Sequence, residues 1–454
     1  MKQTMSSSSI DRMVAHRRHR LGALQGTLLL GMIVLLPATV FYMDIASSLA
    51  LGASISAVVL CITALSYRSE PNTLARQGAL VVTLCLCLVT HVIVAGLYLP
   101  VDFGRALSSL IPLGLLLLSG CGLARILATS RPETIDRVLK RLLALLILLA
   151  ILSALGISFP ALGGGRPYTK PVFPFTEPSH FALYFTPLLM YACVTSTGPR
   201  RLATLAVGLG VALLLQNLTL IVGLCLAGSV SLRRWVFPLI IAVIGFVAMQ
   251  LDFSYYAERL DFSGEVQNLS NLVYVQGWQL MSESLTRSAG WGLGFQQLGI
   301  QGTSTPASDI IYALTGEFVN ILDGGFTLSK VVSEFGIFGL GLIAIYLVAA
   351  WNAWRSLRLA SRRPGSLHAL DVFACSVIVG YIVELLIRGT GYFSGTAILL
   401  TAALWLRHSR RGLRISHQPA LAGASRVRRV RSVIRRPAPT AATSALLAPP
   451  ATLP

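Results

Sequence analysis

Glu177, His180 and Tyr184 follow one another at spacings of three and four in "PFTEPSHFALYF", residues 174–185. If that stretch is helical from Pro178 onward, the three side chains share one face. An acid and a histidine together at a helix mouth can exchange protons, and the free amides of a first turn favour an anion beside them. The chemistry that suits such a face is proton transfer on an acidic, hydroxyl-bearing substrate. A structural account stands beside it: proline is favoured in a first helical turn, and Thr176 or Glu177 can cap the free amides.

An acidic substrate also needs cations, and three groups of them lie near chemistry-bearing residues. Arg166 and Lys170 precede Glu177 in "GGGRPYTKPVFPF", Arg259 stands in "YYAERLDF", and Arg388 ends the run "VELLIRGTGYF" one turn after Glu384. Interfacial solvation would also explain Arg166 and Lys170. Pairing with Glu258, Asp261 or Asp252 would explain Arg259, and an i, i+4 pair with Glu384 would explain Arg388. Charges at membrane depth are costly and mark function, which singles out Glu384 and Arg388. The rings of Tyr255, Tyr256, Trp278, Trp291 and Tyr392 could stack on sugars or anchor the chain at a membrane interface. All seven cysteines fall inside apolar runs, where they act as small packing residues, and no metal-ligand spacing is present. Nor is there a sequence repeat, Walker loop, nucleophile elbow or dinucleotide fingerprint.

The elements that must hold these residues follow from composition. Of 454 residues, 54% are hydrophobic and only 12% charged, far from the mixture of a water-soluble domain. The expected fold class is all-α: a polytopic membrane helix bundle of about twelve transmembrane helices with one long outward loop. Apolar runs of crossing length lie near 21–43, 46–67, 77–99, 106–128, 142–160, 178–196, 235–251, 329–351 and 370–388, with a shorter one at 394–406. The first follows a basic head but is longer than a signal-peptide core, so it reads as a retained helix.

Residues 202–232 cross either once or twice, turning at Gln216, Asn217 and Thr219. Basic residues collect on the cytoplasmic side of membrane helices. With two short passes, both termini lie inside and thirty of the 37 Lys and Arg are cytoplasmic; with one, the Arg355–Arg363 loop and the basic tail would lie outside. Two passes are therefore predicted. That leaves Arg105, Arg166, Lys170, Arg259, Arg287, Lys330 and Arg388 facing outward. It also leaves an outward loop of about 252–328 with eight acids and two arginines, read as an ordered, partly helical cap.

The domain plan is a basic cytoplasmic N-terminus at 1–20, a transmembrane domain at 21–406, and a basic then low-complexity cytoplasmic tail at 407–454. Ten arginines and no acid in 407–436 suit anionic lipid. Without interleaved aromatics they do not suit nucleic acid. The net charge of +19 then reports membrane orientation.

"EPSHFAL" at the mouth of a mid-chain helix resembles the bacterial polysaccharide-repeat-unit polymerases of the O-antigen polymerase (Wzy) type, which are related to the O-antigen ligase superfamily. The two short helices, the long loop, "GWGLGF" (290–295) and "SEFGIFGLGL" (333–342) follow in matching order, so the resemblance covers roughly 160–395. It implies an inverting, metal-independent glycosyltransferase without a cofactor, in the bacterial inner membrane, acting at the periplasmic face. Donor and acceptor would be undecaprenyl-diphosphate-linked glycans, and a protein that limits chain length would be a partner. On this resemblance Glu177 and His180 are catalytic. Arg166, Lys170, Arg259 and Arg388 bind the diphosphate, and Tyr184, Trp291 and Tyr392 contact sugar. The ligases carry a histidine near the end of the long loop, whereas "LDGGFTLSKVVSEFGIFG" has none. That favours polymerase over ligase and leaves the general base unassigned. A twelve-span transporter or lipid-linked sugar flippase is the alternative from another class; it predicts two equivalent halves with broken helices.

Overall fold

The computed structural model describes residues 22–67, 71–157, 171–233, 238, 268–300 and 304–409. Among them the chain forms thirteen helices and no strand. Five are long and apolar enough to cross a membrane, compatible with a multi-pass membrane protein. They are α1 (Ala23–Tyr42), α3 (Pro71–Gly96), α4 (Phe103–Ala128), α11 (Thr327–Arg362) and α12 (Ala369–Leu386). Shorter apolar helices are α2 (Leu49–Leu65) and α8 (Leu218–Ser231). The others are α5 (Pro132–Ala154), α6 (Pro178–Thr195), α7 (Gly198–Leu214), α9 (Leu269–Arg287), α10 (Pro306–Thr315) and α13 (395–409). The expected span at 235–251 lies outside the described residues. Helix α5 begins ten residues before its apolar run, because Pro132 and Glu133 supply a favourable first turn and the added residues are amphipathic.

The core centres on α6, which buries fifteen of its eighteen residues and is therefore apolar on every side. Helices α5, α7, α8, α11 and α12 surround it. Residues 202–232 do form two helices, turned where Gln216 adopts φ 47° and Asn217 accepts from Leu220 N at 3.0 Å. At the other end of this hairpin one guanidinium gathers several chain ends. Arg201 donates to the carbonyls of Cys193 (3.1 Å), Ser196 (2.8 and 3.0 Å), Ser231 (2.8 Å) and Ser361 (2.9 Å). Those acceptors belong to the last turns of α6, α8 and α11, whose C-terminal ends thus meet on one face of the bundle. Orphan carbonyls at helix ends need such donors.

Helix α11 is broken at Gly336 (φ 56°, ψ −129°). A break frees backbone groups, and in a low-dielectric interior each must find a partner. Here the segment 290–296 supplies three of them. Leu293 N donates to Ser333 O, Gly294 N to Glu334 O, and Ile337 N to Gly290 O, each at 2.9 Å. "GWGLGF" and "SEFGIF" are thus two halves of one splice. A Cβ at residue 336 would lie 2.1 Å from Gly290 O, so only glycine fits the bend. The described part of the expected outward loop holds α9 and α10, joined where Gln276 Nε2 donates to Ser308 Oγ at 3.0 Å and Ala307 N to Gln279 Oε1 at 3.0 Å.

Candidate functional site

Pro178 begins α6 as the sequence predicts, and Glu177 is its N-cap residue in extended conformation (φ −137°, ψ 144°). The Glu177 side chain caps nothing, however. Its carboxylate accepts from Arg388 Nη2 at 2.9 Å (Oε2) and 3.2 Å (Oε1), and from Ser179 Oγ at 2.9 Å. Burial raises the carboxyl's affinity for a proton, but the Arg388 guanidinium, with His180 and the Ser179 hydroxyl, outweighs it and holds Glu177 below its ordinary value.

Arg388 does not pair with Glu384. Helix α12 ends at Leu386, Ile387 turns aside (φ −115°, ψ −51°), and Arg388 N bonds back to Val383 O at 3.2 Å, so its side chain leaves the helical row. Glu384, fully buried, instead accepts from Thr390 Oγ1 at 2.8 Å. The i, i+4 pairing expected from sequence assumed a helix that has already ended.

Two helix N-termini open at this place. Neither α6 nor α11 has a side-chain cap, since Glu177 is engaged elsewhere and Phe326 cannot cap. The segment after α12 lies between them: Arg388 reaches Glu177, and Gly389 N donates to Gly325 O at 3.0 Å, one residue before the Phe326 cap. Beside them, His180 Nδ1 and Arg388 Nε are buried without hydrogen-bond partners. Uncapped amides, a guanidinium and a histidine at one mouth form a setting for an anion with phosphate-like oxygens.

A second layer of charge, which sequence reasoning did not assign to the site, supports this mouth. Lys330, 2% exposed in the first part of α11, donates to Leu322 O at 2.5 Å and Asp323 Oδ1 at 3.1 Å. Its ammonium lies 3.9 Å from Glu334 Oε1 and 5.3 Å from the centre of the Tyr392 ring. Glu334, wholly buried, accepts from Gln296 N at 2.9 Å, so the splice also fixes this carboxylate. Burial, and then the Glu334 charge, hold the Tyr392 phenol well above its ordinary value, so it stays a neutral hydroxyl. A Lys and a Glu four apart inside an apolar run were the available signal.

The remaining expected site residues are dispersed. Tyr184 is buried, with its ring 5.7 Å from Phe175 and its hydroxyl against Gly395 at the start of α13. Tyr392 stacks on Phe295 at 5.8 Å. Trp291 stacks on His91 of α3 at 5.3 Å and meets Phe338 at 5.1 Å, packing the outer side of the splice. Trp278 packs against Phe326 at 5.3 Å. Of the other cations expected to face outward, Arg105 donates to Gln296 O at 3.1 Å and so braces the splice. Arg166, Lys170 and Arg259, with Tyr255 and Tyr256, lie outside the described residues. Among the described residues no three metal-ligating side chains converge. A cavity of about 510 Å³ between Asp136, Tyr191, Thr195 and Pro364 lies at the opposite end of α6 and contains none of these groups. No protein-family model matches the chain, and no curated protein is similar to it.

Proposed function

We propose that this protein is a periplasmic-face glycosyltransferase that polymerises undecaprenyl-diphosphate-linked oligosaccharide repeat units into O-antigen or exopolysaccharide. The observation that carries the reading is the ion pair between Glu177 and Arg388, 211 residues apart, at the shared mouth of two uncapped helix N-termini. An acceptor hydroxyl attacks the anomeric carbon of the donor, the new glycosidic bond forms with inversion, and the bond to the lipid diphosphate breaks. Arg388 and the amides of α6 and α11 meet the charge left on the diphosphate, an electrostatic role that is strongest in a water-poor site. Glu177 orients that guanidinium, with His180 beside the pair. The two passes in 202–232 are supported by the Arg201 cluster, which brings the ends of α6, α8 and α11 to one face, and the twelve-span arrangement in the inner membrane with both termini cytoplasmic belongs to the same proposal.

One observation favours a transporter: α11 is discontinuous, as helices at transport sites are. Its break is filled by 290–296 through three backbone hydrogen bonds, and no other described helix carries an equivalent break. A glycan profile of a deletion strain separates the readings. Loss of chain extension with single repeat units retained is the expected result. Loss of attachment would indicate a ligase, and an inward-facing precursor pool a flippase.

A further inference from the structure

The Glu177–Arg388 pair leaves the acceptor hydroxyl without a base, because both Glu177 oxygens are already engaged. Glu334 and Glu384 are fully buried and out of a soluble hydroxyl's reach. Among the described residues, one further carboxylate lies at this mouth. Asp323 sits in a turn built around it: Asn320, Gly324 and Gly325 take φ of 58°, 63° and 74°, and the amides of Asp323 and Gly324 both donate to Asn320 O, at 3.1 and 2.9 Å. Such a run of left-handed residues is rarely adopted without tertiary support. The support is Lys330, which holds Leu322 O and Asp323 Oδ1 from within the protein. The side chain of Asp323 is 45% exposed, and among the described residues only its Oδ1 accepts a hydrogen bond.

The turn is fastened to the segment that carries Arg388. Besides the Gly389–Gly325 bond, Gly391 approaches so closely that a Cβ there would lie 2.7 Å from Asp323 Oδ1. Asp323 is also one of the three charges acting on His180, after Glu177 and Arg388. A clamped oxygen and a free one, on a turn bolted beside the cation, is the arrangement a positioned base requires.

We propose that Asp323 is the general base of the transfer reaction; the inference rests on the polymerase reading and extends it. The acceptor's O–H proton passes to Oδ2 as its oxygen bonds to the anomeric carbon. The bond from that carbon to the diphosphate oxygen breaks, and its electron pair leaves on the diphosphate, opposite Arg388. Asp323 then returns the proton to water. Lys330 is a positioning residue, acting only through Oδ1.

The test uses the full-length protein in proteoliposomes with the host strain's lipid-linked repeat unit, and undecaprenyl diphosphate as the binding probe. Asp323→Asn is expected to lower kcat by about 10²- to 10⁴-fold, the usual worth of a general base, with affinity for undecaprenyl diphosphate kept. Formate is expected to restore turnover to Asp323→Ala, and Asp323→Glu to retain a large part of it. If the amide variant fails to fold, the formate and glutamate results decide. Asp323→Asn turning over like wild type, a fall in affinity parallel to the fall in rate, or formate without effect on a folded Asp323→Ala would each overturn the proposal. Wild-type protein that extends nothing would overturn the polymerase reading itself. Arg388→Ala, expected to lose undecaprenyl diphosphate binding, separates a failed base from a failed site.

Discussion

Gly336→Ala puts the splice under direct strain. Two responses are open to the chain. If α11 keeps its bend, the new methyl lies 2.1 Å from Gly290 O at a φ and ψ open to glycine alone, a backbone cost of about 1 to 3 kcal/mol before the clash is counted. If α11 straightens, Ile337 N recovers its helical partner Ser333 O. Leu293 N, Gly294 N and Gly290 O then lose the partners they hold now. Three buried unmatched groups at about 1 to 3 kcal/mol each come to about 3 to 9 kcal/mol. The cheaper route therefore costs at least about 1 to 3 kcal/mol, a sizeable part of a typical total stability of about 5 to 15 kcal/mol. Thermal unfolding in detergent reads the loss. Amide exchange locates it, since Leu293 and Gly294 should be protected in the wild type and exchange freely in the variant. Straightening also releases Glu334 from Gln296 N, so polymer formation should fall with stability. An unchanged melting temperature with both amides still protected would refute the splice.

Two further outcomes follow from named contacts. Arg201→Ala should cost about 2 to 4 kcal/mol in thermal unfolding, because helix-end carbonyls lose a charged donor, and Arg201→Lys should recover only part, having three donors on a single atom. Glu177→Gln should alter stability at neutral pH by less than about 1 kcal/mol, since the pair is part-exposed, yet abolish donor binding through Arg388. Glu177 is depressed in the folded state, so its contribution is present above the ordinary value of 4.5 and is lost as pH falls through the lower folded value. Melting curves taken from pH 5 downward should therefore fall less steeply for Glu177→Gln than for the wild type.

Hydropathy and turn chemistry made the frame legible. Proline after Glu177 marked the start of α6, and the polar Gln216–Asn217 pair marked the turn between α7 and α8, because it interrupts an apolar run and Asn217 can cap the helix that follows. Long-range pairing was not legible. Sequence spacing joins Arg388 to Glu384 and Lys330 to Glu334, but nearer partners come from Glu177 and Asp323. Those are set by where α12 stops and where the turn before α11 folds back. The break at Gly336 was concealed for a related reason: an apolar run long enough to cross reads as one helix. The glycines crowding both "GWGLGF" and "SEFGIFGLGL" were the one trace of it, and they acquire meaning only once the two stretches are seen to touch.

Arg201 turns the bundle into a lever. With the last turns of α6, α8 and α11 fastened to a single side chain, any relative tilt of these helices pivots there. Eighteen residues of α6 make an arm of roughly 27 Å at 1.5 Å per residue. On that arm a tilt of about ten degrees carries the Glu177 end through roughly 5 Å, enough to draw its carboxylate off Arg388. Pinning the far ends on one side chain therefore keeps that carboxylate in register with the guanidinium it orients, 211 residues away in sequence.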